Sequence, residues 1–148
     1  RSRVSAALLV LMVVPFFATA CARPAGGGSD SSTLGATLVL ERFLRAANAN
    51  DFDTMAQLYG TAEGPFDRMG SQKEIDDRMF VIATVLRHKA SVIKGQGDPV
   101  SGRRDVALNL MVELTKEQEK LTIPFTMVRY RNGWMVENFP FDKLTGGR

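Results

Sequence analysis

Apolar residues recur in steps of three and four up to about Leu86, and at every second position beyond Ala90. That switch of period, from a helical stripe to a pleated alternation, constrains the fold more than any single residue does. The first stripe runs over Thr37–Ala49, with Val39, Leu40, Phe43, Leu44 and Ala47 on one side and Glu41, Arg42 and Arg45 on the other. Asp51 or Asp53 is placed to cap a second short helix through Tyr59, burying Phe52, Met55 and Leu58, with Gly60 as its C-terminal glycine. Thr61–Gly70 is expected to be loop, broken at Gly64-Pro65. Ser71-Gln72-Lys73-Glu74 is a capping box that opens a third helix burying Ile75, Met79, Ile82 and Leu86. Asp76 and Asp77 lie near its positive end, and Arg87, His88 and Lys89 at its negative end.

The second half predicts a meander of strands. Ser91–Gln96 is a short strand ending in a Gly-Asp-Pro turn. Val106, Leu108, Leu110, Val112 and Leu114 make the inward row of the next, and Leu121, Ile123, Phe125 and Met127 that of its partner. Closing that turn at Leu114/Leu121 sets Val112 opposite Ile123, Leu110 opposite Phe125 and Val106 opposite Arg129. Asn132-Gly133 predicts a two-residue hairpin pairing Arg131 with Trp134 and Arg129 with Val136. Helices first and consecutive antiparallel strands after them give an α+β class, three N-terminal helices packed on a curved antiparallel sheet.

Ahead of this domain lies a different kind of sequence. An apolar run from Val4 to Phe17 follows Arg1 and Arg3, and is too short for a comfortable membrane span. Ala18-Thr19-Ala20 then leads into Cys21, the sole cysteine. The pattern is that of a bacterial lipoprotein signal, residues 1–20, with Cys21 as the lipidated residue. Cleavage by ordinary signal peptidase, releasing a soluble chain that begins at Cys21, and an uncleaved anchor are the competing readings. An isolated thiol without a disulfide partner in an oxidising compartment favours lipidation. Residues 21–33, rich in Gly, Ser and Pro, are expected to be a flexible tether, leaving 34–148 as one domain. The expected address is the cell envelope, on the outer membrane or the extracytoplasmic face of the inner one.

Charge excludes one class of partner. The chain carries 19 basic and 16 acidic residues, but Arg1, Arg3 and Arg23 lie outside the domain, as does Asp30, and the remaining charges alternate in sign. No basic stripe exists for phosphate tracking, so nucleic acid is not an expected partner. One cysteine and one histidine cannot build a Cys/His zinc site, and no cofactor is expected.

Phe43-Leu44-Arg45-Ala46, Asn50-Asp51-Phe52-Asp53 and the closing Asn132-Gly133-Trp134-Met135-Val136 carry a resemblance across Leu34 to about Leu144. In that order the chain resembles the nuclear transport factor 2-like, or ketosteroid-isomerase-like, superfamily. The resemblance implies a cone of three helices against a strongly bent sheet, often with an apolar pocket and often dimerising through the sheet. It spans isomerases, dehydratases, polyketide cyclases, transport adaptors and lipoproteins, so it does not choose an activity.

Catalysis in such a fold needs a carboxylate or imidazole facing the pocket. His88 sits at a helix end between two cations. Asp105, Glu113 and Glu137 fall on the face opposite the apolar row, Tyr130 on the outer face and Tyr59 at a helix end. No catalytic residue is therefore assigned. Arg129 is the one charge on the inner row. It is expected either to lay its stem over Trp134 and reach water, or to orient an acidic ligand with Trp134 as an apolar wall and Asn138 as a hydrogen-bonding group. The leading expectation is a membrane-tethered, non-catalytic domain that binds an apolar or acidic amphipathic small molecule, or an envelope protein. The alternatives are an isomerase- or dehydratase-type enzyme of the same fold, and a module that only homodimerises through its sheet.

Overall fold

The computed structural model describes residues 30–146, with side chains from residue 33 onward. Cys21, the apolar run and residues 22–29 lie outside the described residues. The fold is α+β. Helices α1 (Asp30–Ala49) and α2 (Phe52–Leu58) come first, then a small pair of strands, β1 (Gly60–Thr61) and β2 (Gly64–Pro65), and helix α3 (Gln72–Leu86). Strands β3 (Ala90–Pro99), β4 (Ala107–Thr115), β5 (Lys120–Tyr130) and β6 (Gly133–Asn138) form an antiparallel sheet in sequential order, and the short helix α4 (Phe141–Leu144) follows. None of the described helices is long and apolar enough to cross a membrane.

Helices α2 and α3 start at caps that their sequence supplies. The side chain of Asp51 accepts from the amide of Thr54 at 3.1 Å and starts α2. Ser71 and Glu74 exchange both capping-box bonds at the start of α3. α1 begins at Asp30, seven residues before the expected Thr37, so residues 30–33, expected within the tether, are helical. Its buried positions, Ala36, Leu40, Phe43, Leu44, Ala46 and Ala47, form one wide stripe. The expected loop after Tyr59 is partly ordered into the β1–β2 pair, and Gly60 serves as a strand residue rather than a helix cap.

The β4–β5 register is the expected one, with Leu114 opposite Leu121, Val112 opposite Ile123 and Leu110 opposite Phe125. The amide of Arg129 donates to the carbonyl of Val106 at 2.8 Å, continuing that ladder. β3 is longer than expected: it runs through Gly97-Asp98-Pro99, and its register shifts between Lys94 and Asp98, where Gly95 takes φ 71°. The β5–β6 hairpin differs by two residues. Tyr130 pairs with Gly133 and Arg129 with Trp134, so the loop is Arg131-Asn132, and Arg131 itself takes the left-handed φ of 52°. A shift of two preserves the faces, so Arg129 stays on the inner row.

A bulge on β6 then changes faces. Met127 pairs with Val136 but Thr126 with Asn138, leaving Glu137 as the extra residue. Asn138 is thereby set against Thr126, whose hydroxyl donates to Asn109, and not on the row of Arg129 and Trp134 as expected. Phe139 turns inward, its ring 5.1 Å from that of Phe125. The core lies between helices and sheet, where Leu40, Phe43, Met55, Met79, Leu110 and Phe125 are all fully buried. Ala107, Val128 and Met135 are buried outside that main cluster, on the other face of the sheet.

Candidate functional site

Where α2 ends and β6 ends, the side chains leave a cleft of about 370 Å³ lined by Tyr59, Arg78, Val81, Ile82, Asn138, Phe139 and Phe141. Three separate stretches of chain build it. Tyr59 leaves α2 in extended backbone and forms a parallel bridge with Val136, which fixes its position beside β6. Its ring stacks on Phe43 at 6.1 Å and meets Phe66 edge-on at 6.0 Å. Ile82 is on the buried stripe of α3 and Val81 beside it is exposed. The opposite wall is Phe139 and Phe141, their rings 6.1 Å apart, with the buried Phe125 packed behind Phe139 at 5.1 Å. Asn138 at the rim accepts through its Oδ1 from the amide of Phe139 at 2.9 Å.

Arg78 supplies the charge. Its guanidinium lies 4.8 Å from the ring centre of Phe66 and 6.0 Å from that of Tyr59, so the aromatic faces hold it electrostatically. Among the described residues no carboxylate lies within ion-pair distance of it. The lining combines apolar walls, one phenol, one amide and one cation, with no carboxylate or imidazole. Such a cleft can bury an apolar body and orient an anionic head. The volume falls within the range of small-molecule sites.

Arg129 and Trp134 are brought together as a pair, the guanidinium 5.4 Å from the indole ring. Trp134 is buried and Arg129 half-buried, so the arginine covers the indole with its stem and reaches outward. Asn138 is separated from that pair and lines the cleft instead. His88 is clasped rather than aimed: its amide donates to Asn48 Oδ1 at 3.1 Å, Asn48 Nδ2 donates to its carbonyl at 3.0 Å, and Nδ1 lies 2.7 Å from the carbonyl of Leu86.

The carboxylates expected on the outer strand face are paired; Glu113 lies on that face of β4, Asp105 in the loop before β4 and Glu137 at the β6 bulge. Arg103 engages both Asp105 and Glu137, the latter at 2.7 Å. Lys94 meets Glu113 at 2.8 Å and Lys120 meets it at 3.3 Å. Arg103 holds the Asp105 carboxyl below the usual range, Lys94 and then Lys120 do the same to Glu113, and the two acids push Arg103 upward. Carboxylates held in their ionised form beside cations are poor general bases for a dry site. No group of three or more His, Cys, Asp or Glu side chains suited to a metal exists among the described residues.

Sequence reasoning missed Arg78, Phe139 and Phe141 and set Tyr59 aside as a helix-end residue. One signal was present. Arg78 stands three residues after Ile75 and four before Ile82, flanking the buried stripe of α3. Comparison with known proteins adds no constraint: no protein-family model matches the chain, and no curated protein does.

Proposed function

We propose that this chain is an envelope lipoprotein, anchored through acyl groups on Cys21, whose domain is a cone-like member of the nuclear transport factor 2-like superfamily. Its role is to bind an apolar or amphipathic acid without chemical conversion. The observation that carries the reading is the cleft between Tyr59 and Phe139. It offers aromatic walls and an unpaired cation, Arg78, and no carboxylate or imidazole to move a proton. The fully buried side chains between helices and sheet support a ligand seated at this cleft. In this reading Arg129 covers Trp134, and the ligand's charged head is met by Arg78 and the Asn138 amide.

Binding of a dansyl-labelled fatty acid by the purified chain tests this. Arg78→Met should weaken it about tenfold, a loss of about 1.4 kcal/mol, while the corresponding fatty alcohol should be little affected. Arg129→Met should leave both affinities within about twofold. Unchanged fatty-acid affinity in Arg78→Met removes the cleft reading, and a loss confined to Arg129→Met moves the site to the Trp134 row. Anchoring is checked separately: Cys21→Ser should abolish metabolic labelling of the chain by palmitate.

A further inference from the structure

The N-terminal end of α1 and the tip of the β5–β6 hairpin meet. A methyl group built on Gly35 would lie 3.3 Å from Trp134 Cδ1, so the helix backbone rests directly against the indole. Exposed aliphatic side chains lie at this end of α1 and beside the hairpin. Leu34 and Leu38 are 59% and 55% exposed, four residues apart on the outward side of α1. Val106, opposite Arg129, is 61% exposed. Arg129 and Arg131 lie on Trp134 and Tyr130, at 5.4 and 5.1 Å, and no described carboxylate is within ion-pair distance of either. The nearby acids Asp105 and Glu137 are already engaged by Arg103.

We propose that this end of the domain docks on the anionic phospholipid surface of the bilayer that holds it, Leu34, Leu38 and Val106 entering the headgroup layer and Arg129 and Arg131 meeting lipid phosphates. Two observations select a lipid surface over a protein. The first is chemistry: exposed aliphatic side chains beside arginines carried on aromatic rings match a layer that is apolar below and anionic above. The second is reach, and it rests on the anchoring reading above. Only residues 22–29 separate Cys21 from the first residue of α1. Eight residues span at most about 28 Å even fully extended, so the end of the domain that carries Leu34 is the end held close to the membrane. The cleft at Tyr59 is a separate surface, and docking makes no demand on it.

The chain's sole tryptophan lies directly beneath the proposed contact, between Gly35 and Arg129, which makes it the reporter for the test. The full processed chain, with or without acyl groups, is mixed with vesicles of brominated phosphatidylcholine containing either 30% or no phosphatidylglycerol. Trp134 emission should be quenched by the anionic vesicles and at least threefold less by the neutral ones, and 0.5 M salt should largely reverse it. Leu34→Ser combined with Leu38→Ser should remove most of the quenching, with an unchanged melting temperature showing that the exposed positions did not disturb the fold. Arg131→Gln should reduce quenching in anionic vesicles only. No quenching in anionic vesicles, or quenching indifferent to lipid charge and to the leucines, overturns the proposal. So does a dimer that forms without lipid and is lost in the leucine variant, since the patch would then be an interface between copies. Because quenching needs neither palmitate labelling nor fatty-acid binding, its failure is distinct from failure of the anchoring or cleft readings.

Discussion

Glu113 sits between two lysines, Asp105 against Arg103, Asp51 against the Thr54 side chain and amide and Glu74 under the Ser71 amide, and all four carboxyls are held below their ordinary values. In the unfolded chain these partners disperse and the same groups titrate near about 4. As pH falls the unfolded state therefore takes up protons first. The stability these groups contribute is present in full above about pH 5 and is lost as pH drops through about 4 and then through the lower folded values. Most of these groups face water, so each contribution is modest and screened by salt. The melting temperature should be level from pH 7 to about 5 and fall toward pH 3, less steeply in 0.5 M salt; a level profile down to pH 3 would contradict the pairing described above. Asp105 shows the limit of reading one residue at a time. Alternation places it on a strand, but β4 begins only at Ala107, and nothing local reveals that Arg103 ties it to Glu137, thirty-four positions from that arginine. Lys116 was equally silent: in a stretch that reads as a polar turn, its ammonium donates to the carbonyls of Val85 at 2.7 Å and Leu144 at 3.3 Å. It thereby neutralises the negative ends of two helices distant in the chain.

At the scale of elements, legibility followed how many independent constraints fixed each one. The capping box on α3 and the β4–β5 register were readable because caps, alternation and apolar matching agree. The β5–β6 hairpin had a single cue, the Asn-Gly pair, and the packing of Trp134 against Gly35 and Arg129 is satisfied by a loop one residue earlier, at the cost of a positive φ on Arg131. The face change at Glu137 was unreadable, since a bulge adds a residue without altering the local alternation of types. For the same reason Asn138 was expected beside Arg129 and is found at the cleft. Gly60 has a demand of its own. A Cβ there would lie 2.3 Å from the carbonyl oxygen of Gly64 and 2.8 Å from Pro65 Cα, backbone atoms that cannot swing aside. Gly60→Ala should therefore cost about 1–3 kcal/mol in denaturant unfolding, as overpacking does. By displacing Tyr59 it should also weaken fatty-acid binding; retention of full stability would mean that the β1–β2 pair is not held as tightly as its geometry requires.

Taken whole, the domain divides into a packed interior and two sheet surfaces of different kinds. Leu110, fully buried between sheet and helices, should cost about 2–5 kcal/mol when cut to Ala. Val92, 52% exposed on the outer face of β3, should change stability by no more than about 0.5 kcal/mol on conversion to Ser. Equal losses in a urea titration would mean the faces are reversed. The fold class was legible because the change of period near Ala90 is a property of the entire chain. The cleft was not, because Tyr59, Arg78 and Phe139 come from three places with no shared spacing, and only folding makes them neighbours.

The parallel bridge between Tyr59 and Val136 has one more effect. It lays a short stretch of backbone along β6, which would otherwise present open amides and carbonyls on that flank. On the opposite flank β3 is broken in register around Gly95 and carries Lys94 and Pro99. A growing fibre needs a straight, unoccupied strand on which the next chain can crystallise, and neither flank offers one. Copies at high concentration can therefore crowd together without seeding one another into aggregates.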